Sequence, residues 1–257
     1  MRPPYFARAA RRSGPADSLR DVGRSSDRPN QPLMGYPPPN ELAALWRVCV
    51  PCGLDDEVSA LLARHGLSAE WVDDFHLARA LPPTAPLPAW ASFRRACAGR
   101  VSWIESGHRL LVPIFDALGR MRSVRAWCVR DCDVDDPKRV SPAGYAYRHL
   151  VLACGQGVAL LSGGWEKMGG QPRPRIVIAD GEPDFLTWAT RCSDAAESVP
   201  IVLGVFAGAW SDDFARRIPR GARVVIRTHH DTAGDACAQA IWQSLEGRVA
   251  VHRSRPA

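Results

Sequence analysis

Two short acidic segments carry residue types and spacings from which chemistry could be built. The first, IVIADGEPDFLTW, sets Asp180, Glu182 and Asp184 behind an apolar run, and the second, VVIRTHHDTAGDA, sets His229, His230, Asp231 and Asp235 behind another. Carboxylates converging from neighbouring strand ends are what a Mg²⁺-dependent phosphoryl-transfer site needs, because Mg²⁺ takes hard oxygen ligands and bridges phosphates. The same acids would serve as helix caps, since Asp at a helix start accepts free amide N–H groups and suits the positive end of the helix dipole. Both readings stand on these residues alone.

Other groupings are weaker. Cys49 and Cys52 form a CxxC and Cys128 and Cys132 a CxxxC, and four thiolates could hold zinc. The pairs lie far apart, Pro51 suggests a turn and Cys128 sits in a strand-like run, so buried or half-buried thiols are the simpler reading. Reduced thiols are expected in a long chain without a secretory signal. The run Asp131, Asp133, Asp135, Asp136 resembles a calcium loop but lacks the loop's glycine and distant glutamate, so it reads as an exposed connection.

The elements that would position the acids are legible. Asn40 can cap a helix through Leu42, Leu45 and Trp46, a second helix covers Asp55 to Arg64, and Ser68 can cap a third through Val72, Phe75 and Leu77. After a PPTAPLP linker, Leu110 to Phe115 and Ser123 to Val129 read as strands of a hairpin turning at Asp116 to Arg120. The last third alternates. Strands at Arg175 to Ala179, Ile201 to Phe206, Arg223 to Arg227 and Arg248 to His252 enclose helices at Pro183 to Ala196, Ser211 to Ile218 and Ala233 to Leu245. Apolar strands between amphipathic helices predict an α/β fold with a parallel sheet covered on both faces, and such sheets bind at the carboxyl ends of their strands.

The chain has 257 residues, 46% apolar and 23% charged, which excludes a fibrous or wholly disordered protein. It contains neither a membrane-length apolar run nor a signal-peptide core, so a soluble, cytoplasmic protein with no membrane partner is expected. Residues 1–40 hold seven Arg against three Asp, a balance of +4 that leaves +2 of the total +6 for the rest. Net charge therefore says little about partners. All basic residues but Lys138 and Lys167 are Arg, a skew that follows from coding bias. Residues 1–34, rich in Arg, Pro, Ser and Gly, read as a disordered basic arm. Residues 35–170 read as a helical and β-hairpin subdomain and 171–257 as an α/β domain, with GGWEKMGGQPRP as the linker between them.

With the motifs in place, the chain resembles a known family. DGEPD, VLGVFAG and HHDTAG resemble the EGxxD strand end, the middle strand with its glycine turn, and the DxDxAG strand end of Toprim domains. Upstream, LLARHGLSAEWVDDFHLARAL, GHRLLVPIFDALGRMRSVRAWCV and PKRVSPAG resemble the YLxxRGLSxExIxxFxLG helices, FPIxDxxGxxxGFxxR hairpin and PKYxNSPE stretch of bacterial and phage-type DNA primases. In order and spacing the resemblance covers roughly residues 55 to 252 and matches the primase polymerase core.

The resemblance implies primer synthesis on single-stranded DNA in the replication of a phage or mobile element, by nucleotidyl transfer with Mg²⁺ or Mn²⁺ rather than zinc. Single-stranded DNA and nucleotides are the implied partners, with a replicative helicase as a further one. Asp180, Asp184 and Asp231 take the catalytic positions. Asp180, Glu182, His229, Asp231 and Asp235 are the metal-ligand candidates, and Arg109, Arg125, Lys138 and Arg139 those for guiding nucleic acid, where arginine holds phosphate bidentately.

Three departures matter. Asp180 is one methylene shorter than the family's glutamate, which displaces a general acid or base by about 1 Å or more. His229 stands at the first aspartate of DxD, where imidazole brings no negative charge and favours softer metals. The chain ends at Ala257, about where the family continues into a further acidic segment and a helicase-binding domain, and CVPC lacks the second pair of a zinc ribbon. A self-sufficient primase is not expected. A catalytically degenerate nucleic-acid-binding module and a Toprim nuclease are the alternatives.

Overall fold

The computed structural model of the protein describes residues 35–95, 99–130, 136–165, 169, 173–191, 200–206, 209–229 and 231–254. The basic arm at 1–34, the DxDxD run at 131–135, half of the linker, residues 192–196 of the helix expected to reach Ala196, and His230 lie outside the described residues; that helix ends at Ala189, short of the expected bound, with Thr190 and Arg191 already out of it. Leu33–Ala257 is one compact unit.

Helix α1 spans Pro39–Val48. The predicted cap Asn40 lies inside it, because Pro39 at the first position already has the helical φ. The cap expected at Ser68 is present, and Asp55, expected as the first residue of the second helix, is its cap instead. Asp55 accepts from the Val58 amide at the start of α2 (Asp56–Arg64), and Ser68 accepts from the Trp71 amide before α3 (Ala69–Asp74). After the short β1 (Arg79–Ala80), β2 (Ser92–Arg95) and β3 (Gly99–Ser102) form a small antiparallel pair.

The predicted hairpin is β4 (His108–Phe115) and β5 (Met121–Cys128), joined by an Asp116–Arg120 turn with Gly119 at φ +70°. With β6 (Arg139–Val140) it completes an antiparallel sheet in the order β1-β4-β5-β6. Leu42, Leu45, Trp90 and Trp103 cover one face through Leu111, Val124 and Ala126. On the other, Leu110, Val112 and Ile114 pack with α2 and with the five-stranded sheet described next.

Strand β7 (Leu152–Ala153) and helix α4 (Gly155–Leu161) lead into that sheet. It continues with β8 (Arg175–Asp180), α5 (Gly181–Ala189), β9 (Ile201–Val205), α6 (Asp212–Arg217), β10 (Arg223–Arg227), α7 (Thr232–Leu245) and β11 (Ala250–Arg253). The order is β11-β10-β8-β9-β7. Its first four strands are parallel, as expected, and β7 adds an antiparallel edge. Along β8, Ile176 and Ile178 face α6 and α7, while Val177 and Ala179 face α5 and the first half of the chain. Both faces are covered, which is why the strands read as continuous apolar runs.

The expectation of reduced thiols is corrected at one position: Cys128 is disulfide-bonded, with its partner outside the described residues. Cys49, Cys52, Cys154 and Cys237 are free. Burial pushes the Cys49 thiol up to about 12 and raises Cys52 further, so both are neutral core groups, with Cys49 Sγ donating to the Leu45 carbonyl.

Candidate functional site

The two acidic segments meet because β8 and β10 are neighbours in parallel register, Ala179 opposite Arg227. Asp180 ends β8. Gly181 follows at φ +77°, a conformation unfavourable for other residues, and lets the chain turn directly into α5. On the adjacent strand end, Asp231 caps α7 by accepting from the Gly234 amide at 2.7 Å. A side chain at Gly234 would put its Cβ 2.3 Å from the His229 carbonyl oxygen, so glycine is what allows the turn to close on the helix. The His229 amide donates to Asp180 Oδ2 at 3.2 Å and links the two motifs. From β11, Arg253 donates to the His229 carbonyl and to Asp235 Oδ1 at 2.6 Å.

Asp184 is half-buried, and burial raises its carboxyl above the ordinary range. Asp180 pushes in the same direction, while His229, Arg227 and Arg139 oppose it. Asp180, Asp184 and His229 thus share one electrostatic neighbourhood.

Glu182 faces elsewhere. It is 2% exposed. Its Oε1 accepts from Arg125 Nε of β5 at 2.7 Å, and its Oε2 lies 3.5 Å from Arg139 Nε of β6 in an ion pair without hydrogen-bond alignment. Arg125 also donates to Ser141 Oγ at 2.8 Å, and its guanidinium carbon lies 5.6 Å from the Tyr147 ring centre and 5.4 Å from that of Phe206. Arg139 lies over Trp127 at 5.0 Å. Aromatic faces attract guanidinium groups, so both arginines are held from two sides.

Of the four basic candidates, the structure brings Arg125 and Arg139 to the acidic turn. Arg109 is buried, donates to the Leu81 carbonyl at 2.8 Å and pairs with Asp55 and Glu57, which ties β4 to the start of α2. Lys138 is exposed next to Arg139 and has no ion-pair partner among the described residues.

The donor set does not fit a resident divalent ion as arranged. Glu182 is matched by two guanidinium groups, Asp235 by Arg253, and Asp231 caps its own helix. Among the described residues no group of three His, Cys, Asp or Glu side chains converges on one point. A cavity of 540 Å³ is lined by none of these acids; Tyr36, Asp116, His149 and Arg217 are among its walls.

Sequence reading passed over Tyr147, Phe206, Trp188 and Arg227. Trp188 lies one turn beyond Asp184 on α5, with the guanidinium groups of Arg191 and Arg227 each 4.5 Å from its ring centre. The i, i+4 spacing from Asp184 was the available signal. Tyr147 and Phe206 come from loops far apart in sequence and carried none.

The chain resembles solved primase cores. The DnaG primase catalytic domain bound to ssDNA is 14% identical over 85% of this chain and 71% of that one, with a TM-score of 0.55. A DNA primase domain from Pseudomonas aeruginosa is 15% identical over 84% and 70%, with a TM-score of 0.53. The E. coli primase catalytic core is 14% identical over 84% and 71%, also at 0.53. The likeness is one of fold: a mixed α/β chain with a parallel-containing sheet, arranged as in the DnaG catalytic core. No protein-family model and no curated protein sequence matches the chain.

Proposed function

We propose that the chain is a primase-like Toprim module that holds single-stranded DNA during replication of a phage or mobile element, and that it does so through arginine and aromatic side chains rather than through a resident metal ion. One observation carries this reading: Arg125 and Arg139 of the antiparallel sheet converge on Glu182, in the first turn after the acidic strand end. They form a cationic seam between the two sheets at the carboxyl ends of β8 and β9, the end of the sheet where such folds bind ligands. Arginine in that position contacts phosphate in a fork geometry, and neighbouring aromatic faces suit unpaired bases. The primase-core fold supports the same reading, since one of its solved counterparts is described as bound to ssDNA.

A second reading, nucleotidyl transfer with Mg²⁺ or Mn²⁺ involving Asp180, Asp184 and Asp231, is favoured by the neighbouring Asp180 and Asp184, whose repulsion adds to the raised Asp184 pKa. Incubating the protein with single-stranded DNA, labelled nucleotides and either ion separates the two. Binding without labelled product supports the first reading. Product that disappears in Asp180→Asn and Asp231→Asn establishes the second, and strand scission in place of synthesis points to a nuclease.

A further inference from the structure

Resting on that reading of single-strand binding, we infer that the ring face of Tyr147 opposite Arg125 is the seat for one unpaired nucleobase, while Arg125, over the other face at 5.6 Å, meets the adjoining phosphate. Tyr147 is 38% exposed, in an exposed run with Arg148 and His149. Its ring plane is fixed from one side by Phe206, edge-on at 5.6 Å and 63°. Arg125 is fixed in turn: Glu182 takes its Nε and Ser141 its Nη1, which leaves Nη2 without a hydrogen-bond partner among the described residues.

The three groups supply what a single strand requires at one nucleotide. A braced aromatic ring offers a face for any base, because every base has a π-surface, and a braced guanidinium offers a donor for phosphate. Both are set before the ligand arrives, so little side-chain freedom is lost on binding. Glu182 is the positioning residue. Without a buried carboxylate to hold Nε, Arg125 would not stay beside the ring. Phe206 follows β9 directly, so the seat lies at the same end of the sheet as Asp180.

The test compares a fluorescent twelve-nucleotide oligo-dT with an abasic strand of equal length, measuring anisotropy for wild type, Tyr147→Ala and Tyr147→Trp. Wild type is expected to prefer oligo-dT by about tenfold or more. Tyr147→Ala should lose most of that preference with its abasic affinity unchanged, and Tyr147→Trp should keep it. Full preference retained in Tyr147→Ala, or equal wild-type binding of the two strands, overturns the seat alone. Failure of wild type to bind either strand overturns the single-strand reading, and the seat with it.

Discussion

Glu182 Oε1 accepts from Arg125 Nε at 2.7 Å, so an acid in the first turn of α5 is joined to a strand of the other sheet. The pair is largely desolvated, at 3% and 17% side-chain exposure. Two such charges balance only together. Each is costly to bury alone, and removing one leaves the other uncompensated. The contact therefore fixes the geometry of the cationic seam as well as the packing between the halves.

Glu182→Ala is accordingly expected to destabilise the protein by about 3–5 kcal/mol, the usual cost of breaking a buried pair from one side. For a chain of this size that lowers Tm by about 6–20 °C, read by thermal denaturation. An unchanged Tm would show that the pair is not closed in solution.

The arginines divide by role. Arg139→Ala should reduce the salt dependence of single-strand binding by about 0.7 in log–log slope, the loss of one phosphate contact. Arg109→Ala should leave the slope unchanged and lower stability, because its partners Asp55 and Glu57 are structural. Titrations at four salt concentrations check both.

Asp184 gives a pH signature. Its pKa is raised above the ordinary 3.8 by burial first and by Asp180 second, so the folded state favours the protonated carboxyl. The resulting stabilisation is complete below pH 3.8 and is lost as the pH rises through the raised value. Asp184→Asn should therefore have a higher Tm than wild type at pH 7, with the difference shrinking towards zero as the pH falls below 3.8. A gap independent of pH would contradict that origin.

Both turn glycines should resist substitution for different reasons. Gly181→Ala forces a side chain into positive φ, at about 1–2 kcal/mol. Gly234→Ala drives Cβ into the His229 backbone, at about 1–3 kcal/mol. Urea denaturation measures both, and Gly234→Ala should also disturb the His229 amide, visible in a backbone NMR spectrum.

Local signals carried well from sequence to structure. Ser68 caps a helix where its spacing indicated, Asp116–Arg120 turns the hairpin, and the strand–helix alternation from Arg175 places Asp180 next to His229. Pairings across long separations did not. Nothing within the sequence around Arg109 indicates Asp55 and Glu57, more than fifty residues away. Glu182 reads as one more acid of a metal motif, and only the fold reveals its two guanidinium partners. Two-residue strands such as Leu152–Ala153 are too short to show periodicity, which hid the antiparallel edge of the sheet.

The most direct measurement is the affinity of the purified protein for a fluorescent single-stranded oligonucleotide in EDTA, repeated with added Mg²⁺ or Mn²⁺ at constant ionic strength. Binding in EDTA that is not strengthened by either ion is the predicted result, since guanidinium groups and aromatic rings hold the strand. Absence of binding in EDTA, with binding restored by Mg²⁺ or Mn²⁺, would contradict it and return the site to its carboxylates.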